Sequence, residues 1–418
     1  MNLIKNNKVF RSLFLFLAVV GPGIITANVD NDAGGITTYS VAGAAFGYKL
    51  LWIFIPMTIA LVVVQEMSAR MGAVTRKGLA DLIRENYGVK ITLFVMLGLL
   101  LADLGNTVSE FAGIAASTEI FGISKYIAVP ISAFLIWWTV VRGSYKVVER
   151  IFLVASALYL TYVASGFMAG PDWGIVGHEL ITPHFEFENE YLAMIIGLIG
   201  TTIAPWMQFY IQSAVVEKGI TAEEYRYSRL DVIVGCFMTD FIALFIVVAC
   251  AATMFTNHIS IETAQDAAVA LEPLAGKWAS ALFAFGLLNA SIFSASILPL
   301  ATAYYICEAF GLEAGIDKSW KEAPVFYWLY TFLIVIGAAI ILLPNAPLIQ
   351  IMLWSQVING MLLPFVLFFM LRLINNRDLM GDHVNSRWYN GIAWLTTVIM
   401  IGLTLALVTT SLFPDLLA

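Results

Sequence analysis

The chain has 418 residues, of which 60% are apolar and only 12% charged, with a formal net charge of −7 and a mean hydropathy of +0.85. No soluble globular class has this composition, and an acidic balance that comes largely from loops speaks against a nucleic-acid partner. The three cysteines, Cys236, Cys250 and Cys307, all fall in apolar stretches and define neither a disulfide framework nor a thiolate metal site.

A hydrocarbon core about 30 Å thick calls for about 20 apolar residues per helix. Uncharged runs of that kind predict an all-α membrane protein with eleven transmembrane helices, at about 12–46, 50–69, 91–120, 126–141, 151–169, 193–216, 231–255, 278–308, 325–343, 347–371 and 388–413. The start, Lys5 to Arg11 and then Leu13–Val20, has the outline of a signal peptide. Gly21-Pro22-Gly23 follows in place of a small-residue cleavage site and runs into further membrane sequence, so the stretch reads as the opening of the first span.

That first span is interrupted by Asn28-Val29-Asp30-Asn31-Asp32-Ala33-Gly34-Gly35, a composition that cannot stay helical in lipid. The second and third spans carry Glu66, Asp103 and Glu110, and the longest outer loop, near 170–192, holds Glu179, Glu186, Glu188 and Glu190 without a basic residue. The sixth span is interrupted like the first, by Gly197, Gly200-Thr201-Thr202 and Ala204-Pro205. Asp240 lies in the seventh span and Gln356 in the tenth, whereas His178, His184, His258 and His383 all fall in loops or at their edges.

With the N-terminus cytoplasmic and the C-terminus outside, all 22 basic residues except Lys49, Lys125 and Lys277 fall on the cytoplasmic side. That asymmetry predicts a multi-pass protein of the plasma membrane in this orientation. One transmembrane domain, 1–418, accounts for the chain: a first five-helix set over about 12–169, a second over about 193–371, and an extra helix at about 388–413. The interrupted spans open the two sets, and broken helices at corresponding positions of two halves point to an inverted-repeat transporter with its substrate where the breaks meet.

Asp30, Asn31 and Asp32 put two carboxylates and an amide inside a span. A short loop reaching water is the plain alternative, but a broken helix frees backbone groups that cost several kcal/mol each unless satisfied, and ionisable groups at membrane depth are functional by default. Oxygens of Thr201, Thr202 and the freed carbonyls would complete a hard cage for a divalent cation, the transported substrate rather than a resident cofactor. The C-terminal end of a half-helix adds negative potential. Glu110 and Asp240 read either as an ion path or as structural pairs; Gln208, Gln212 and Gln356 either line an aqueous cavity or bond helix to helix.

Several stretches resemble one family. Gly21-Pro22-Gly23, Asp32-Ala33-Gly34-Gly35, Ala42-Gly43-Ala44-Ala45-Phe46-Gly47-Tyr48 and Leu51-Trp52 resemble the first-helix region of the NRAMP metal-ion transporters. The likeness continues in Gln65-Glu66-Met67-Ser68-Ala69-Arg70-Met71-Gly72, Leu79-Ala80-Asp81-Leu82, Ser355-Gln356-Val357 and Asn376-Arg377-Asp378-Leu379-Met380-Gly381. It implies the LeuT-type fold, with two inverted five-helix repeats, one extra helix and an ion held between unwound helices 1 and 6. It further implies Asp32 as main anionic ligand, the backbone carbonyl of Thr201 as a second, and Asp30, Asn31 and Gly35 as the residues shaping the first break.

The departures from that family carry as much weight. Its Asp-Pro-Gly-Asn reads Asp32-Ala33-Gly34-Gly35 here, and its Met-Pro-His reads Ala204-Pro205-Trp206, with Met207 close by. Loss of an amide and of a soft thioether leaves a roomier, harder site, which the resemblance assigns to the magnesium-transporting branch, with Mn²⁺ also carried. The third-helix Asp of the family is Thr107, three residues before Glu110, and its sixth-helix histidines are Trp206 and Gln212. Transport by alternating access without proton coupling is therefore expected, since two charges falling through 100 mV gain about 4.6 kcal/mol. A monomer is expected. The alternatives are a proton-coupled transition-metal importer and a sodium-coupled amino-acid carrier of the same fold.

Overall fold

The computed structural model describes residue 26 and residues 29–142, 156–316 and 318–412. Gly21-Pro22-Gly23, Asn28 and the opening parts of the first and fifth expected spans lie outside the described residues.

Among the described residues the chain is helical and has no strand. Thr26, Val29 and Asp30 are helical, and the chain leaves the helix at Asn31 and Asp32. It resumes as α1 (Ala33–Phe46), α2 (Phe54–Thr75), α3 (Leu79–Ile120), α4 (Lys125–Val141), α5 (Leu160–Met168) and α6 (Trp173–Ile181). There follow α7 (Asn189–Thr202), α8 (Pro205–Glu217), α9 (Tyr225–Thr253), α10 (Ala279–Phe310), α11 (Pro324–Ile341), α12 (Leu348–Ile374) and α13 (Arg387–Leu412). Eight helical stretches are long and apolar enough to cross a membrane, and Lys125–Val141 and Ala157–Met168 are shorter apolar helices. Together with the broken first segment they account for the eleven expected spans.

Two boundaries differ from the sequence expectation. A charged lead-in, Leu79 to Tyr87, precedes the expected third span, and at Gly88, with φ 78° and ψ 169°, the backbone leaves helical geometry so that two helices meet at a kink within α3. That backbone conformation belongs to glycine. The region 170–192, expected as loop, contains α6, whose N-cap Asp172 accepts the N–H groups of Gly174 at 2.8 Å and Ile175 at 3.2 Å. Nine residues are too few to register as a span.

The distribution of side chains is that of a protein in lipid. Phe94, Leu101, Phe134, Trp328, Val335, Leu395 and Val398 are exposed, while Asp30, Asp32, Asp103, Glu110 and Asp240 are buried. Inside, α3 packs along α10 and α12, α1 along α9, and α7 along α12. The last pair touches backbone to backbone: a Cβ placed on Gly200 would lie 2.1 Å from the Gln356 carbonyl oxygen and 2.4 Å from the Gly360 nitrogen. Small residues permit such contact in membranes, where dispersion rather than the hydrophobic effect joins helices.

At one end of the bundle Arg70 of α2 joins the segment before α13. Its guanidinium donates to the carbonyls of His383 at 2.8 Å and Val384 at 3.1 Å, to Asn385 Oδ1 at 2.5 Å and to Glu66 Oε2 at 3.1 Å. The Tyr225 hydroxyl donates to the other oxygen of Glu66.

Candidate functional site

The first break is shaped by Asp32. It is the N-cap of α1, with extended backbone at φ −74° and ψ −174°, and its Oδ1 accepts the N–H of Gly35 at 2.6 Å. A carboxylate suits this position, where free N–H groups and the positive end of the helix dipole meet. The second break lies between α7 and α8, where Ile203 (φ −117°, ψ 52°) and Ala204 (φ −63°, ψ 138°) leave helical geometry and Pro205 begins α8. Proline has no N–H, so the carbonyl of Thr201, four residues earlier, loses its helical donor.

The two breaks meet at Gly35. A Cβ placed there would stand 2.5 Å from the backbone oxygen of Asp30, 3.1 Å from Thr201 Oγ1 and 3.4 Å from Asp32 Oδ1. Because Gly35 has no side chain, a carbonyl, a hydroxyl and a carboxylate can all close on its Cα. Among the described residues no three His, Cys, Asp or Glu side chains close on one point. The oxygens that accompany Asp32 come from backbone and hydroxyl groups, the donor type that hard cations take.

Glu110 reaches this centre from α3. Its Oε2 accepts the N–H of Ala33 at 3.3 Å, and its carboxyl stands beside that of Asp32. The approach depends on Gly113, one turn along: a Cβ on it would lie 2.5 Å from that of Ala33. On the opposite side, Thr239 of α9 donates to Asp30 Oδ2 at 2.8 Å and accepts from Asn31 Nδ2 at 2.9 Å. Asp240 follows Thr239 and lines the apolar groove between α2 and α9. None of Asp30, Asp32, Glu110 or Asp240 has a basic ion-pair partner among the described residues. Buried carboxyls without a basic counter-charge mark a place for cations or protons.

Gln356 of α12 also belongs here. Its Nε2 presses on Gly34, 1.9 Å from where a Cβ would be, and its Oε1 accepts from Asn359 at 3.0 Å. Asn359 exchanges hydrogen bonds with Asn106 at 2.8 and 3.2 Å. Asn106 donates to Asp103 at 3.1 Å, and Asp103 accepts from Tyr305 at 2.5 Å and Thr302 at 2.9 Å. Asp103 is thus fully occupied within a polar chain that ends at the first break.

Other expected residues lie apart from the centre. Thr107 donates to the Asp103 carbonyl at 2.8 Å and sets its methyl against Gly337 of α11. Gln212 donates to the Lys77 carbonyl at 2.8 Å, and Gln208 accepts from Ser68 at 3.4 Å, so both join α8 to the α2 side of the bundle. Ala204 is buried and offers a methyl group at the second break. The thioether of Met207 accepts from Gln65 Nε2 at 3.6 Å. Thr239 was missed in the sequence, although a hydroxyl next to Asp240 inside a span was a usable signal. Tyr39, whose hydroxyl pairs with Thr202 Oγ1 at 2.8 Å, gave none.

A helical membrane protein whose two broken helices enclose a buried acidic, oxygen-lined centre has the architecture of a secondary transporter of the LeuT type. The family model described as natural resistance-associated macrophage protein-like matches residues 23–410, and the chain belongs to this Nramp family of membrane metal-ion transporters, which are not enzymes. It is 29% identical over 399 residues to the divalent metal cation transporter MntH 1 of Pseudomonas aeruginosa, covering 92% of this chain and 89% of that protein. It is 27% identical to the divalent metal cation transporter MntH of Deinococcus radiodurans, covering 94% and 90% of the two chains. The crystal structure of the Eremococcus coleocola manganese transporter superposes with a TM-score of 0.78 at 23% identity, over 94% of this chain and 86% of that one.

Proposed function

We propose that the protein imports divalent metal cations by alternating access, with Mg²⁺ as principal substrate and Mn²⁺ also carried. The observation that carries this reading is the set of oxygens around Gly35: Asp30 carbonyl, Thr201 hydroxyl and Asp32 carboxylate, 2.5, 3.1 and 3.4 Å from the point a side chain would occupy. Asp32 supplies the main negative charge, and the donor-free carbonyl of Thr201 turns toward the ion as the helices rock. Asn31 and Asp30 hold the first break open through Thr239.

Support for Mg²⁺ comes from what lines the second break. Ala204 brings no sulfur, and Met207 is turned to Gln65. A soft thioether favours transition metals, whereas Mg²⁺ keeps part of its water and needs room and hard oxygens. The relatives named divalent metal cation transporters support the charge class and leave the amino-acid carrier without a basis. We further place the protein in the plasma membrane with its N-terminus cytoplasmic, and take 12–169 and 193–371 as the two inverted units.

One contact favours the proton-coupled alternative: Glu110 beside Asp32, a carboxyl pair able to release a proton when a cation arrives. Both readings are tested in proteoliposomes loaded with a pH dye, with Mg²⁺, Mn²⁺ and Ca²⁺ competing for uptake. Uptake of Mg²⁺ and Mn²⁺ without acidification supports the uncoupled importer; Mn²⁺ uptake with acidification, indifferent to Mg²⁺, overturns it. Loss of all uptake in Asp32→Ala is expected, and retained uptake removes Asp32 from the site.

A further inference from the structure

We propose that Asp103, acting through Asn106 and Asn359, is a positioning residue of the transport site: it fixes which end of the Gln356 amide faces the first break. The proposal rests on the reading of that break as the seat of the ion and assigns an orientation to the side chain beside it.

Asp103, Asn106, Gln356 and Asn359 are all buried. Asp103 only accepts: Tyr305 bonds its Oδ2 at 2.5 Å and Asn106 its Oδ1 at 3.1 Å. Asn106 also donates to Asn359 Oδ1 at 3.2 Å, so both of its amide hydrogens are used. Asn359 returns one hydrogen to Asn106 Oδ1 at 2.8 Å and gives the other to Gln356 Oε1 at 3.0 Å. A carboxylate offers no hydrogen, so turning over any one of these amides would set two donors or two oxygens face to face. The polarity of the chain therefore starts at Asp103 and ends at Gln356.

The other end of the chain gives the same orientation independently. The Ser355 hydroxyl gives its proton to the Met352 carbonyl at 2.8 Å, so toward Gln356 it can only accept, and it takes Nε2 at 3.2 Å. The same Nε2 presses on Gly34, 1.9 Å from where a Cβ would be. Gln356 thus turns hydrogens rather than a lone pair to the start of α1. A cation at the break gains no ligand from it and keeps water on the α12 side, a condition that suits Mg²⁺, which dehydrates reluctantly. Asp103 acts on selectivity through this amide without touching the ion.

The test is Asp103→Asn, assayed by Mn²⁺ uptake into proteoliposomes with Mg²⁺ competing. The new amide keeps its oxygen on Tyr305 and can donate to Asn106, whereupon all three amides turn over with every bond retained and Gln356 Oε1 faces the break. Half-saturation for Mn²⁺ is expected to fall by about tenfold, the scale of one polar contact to a charged group, with the maximal rate retained and Mg²⁺ competing less well. In a Gln356→Leu background the same substitution is expected to leave half-saturation unchanged, because the amide through which it acts is gone. Asn359→Leu, which releases Gln356 Oε1, is expected to shift half-saturation in the same direction and serves if Asp103→Asn does not fold. An unchanged or higher half-saturation, or a fall that persists without Gln356, overturns the proposal. Mn²⁺ uptake retained in Asp32→Ala instead overturns the reading of the first break.

Discussion

The backbone N–H of Ala33 points at the carboxylate of Glu110 from 3.3 Å, so that the helix whose N-cap is Asp32 also meets a second carboxylate from another helix. Asp32 and Glu110 share one helix N-terminus, the first bonding Gly35 and the second Ala33. The helix dipole favours negative charge at this end, and a bound cation would balance it.

Glu110→Gln keeps an acceptor for the Ala33 N–H and removes one negative charge. At an effective dielectric constant of about 20, a charge a few Å from the ion is worth at least about 1.4 kcal/mol, or about tenfold. Half-saturation for Mn²⁺ uptake should rise by that factor with the maximal rate retained. An unchanged half-saturation would place Glu110 outside the field of the ion.

Ala204→Met returns a thioether to the second break. Cd²⁺ should then inhibit Mn²⁺ uptake at a concentration about tenfold lower than in the unchanged protein, while Mg²⁺ competes less well. A selectivity series that stays the same in competition assays would remove the soft-ligand argument.

Gly35→Ala places a methyl group 2.5 Å from the Asp30 carbonyl oxygen. That oxygen belongs to the backbone and cannot rotate away, so overpacking costs about 1–3 kcal/mol and pushes the Asp30, Asp32 and Thr201 oxygens apart. Reduced Mg²⁺ uptake together with a lower melting temperature in detergent is the expected result. Full uptake with unchanged stability would show that the ion sits elsewhere.

Arg70→Met leaves Glu66 buried, with the Tyr225 hydroxyl as its remaining partner, at a cost of about 3–5 kcal/mol for the broken pair. The double variant Glu66→Gln with Arg70→Met should be more stable than Arg70→Met alone. Thermal melting of the three proteins in detergent checks this, and equal stability of the single and double variants would show that no buried charge had been stranded.

The breaks were legible in the sequence because composition alone forbids a lipid-facing helix through Asp30–Gly35 or Ala204-Pro205. The spans followed from the same signal. What sequence could not supply was partnership. Gln212 and Glu110 are both polar residues in spans, yet one bonds the Lys77 carbonyl and the other the α1 terminus. The difference arises from Gly113, which lets α3 and α1 approach, and one glycine among 31 carries no mark of that role. The lead-in of α3 and helix α6 were hidden for a simpler reason: membrane-length hydropathy does not register charged or nine-residue helices.

The contact between α7 and α12 has a dynamic consequence. Where the Gly200 and Gly360 backbones meet without intervening side chains, no rotamer change can take up a sliding motion, and Gly360 is equally tight against the Ile196 carbonyl oxygen, 2.3 Å from a built Cβ. The pair therefore travels as a single lever arm. Thr201 and Gln356, one on each helix, are thereby held at a fixed offset from one another, the first against Gly35 and the second against Gly34.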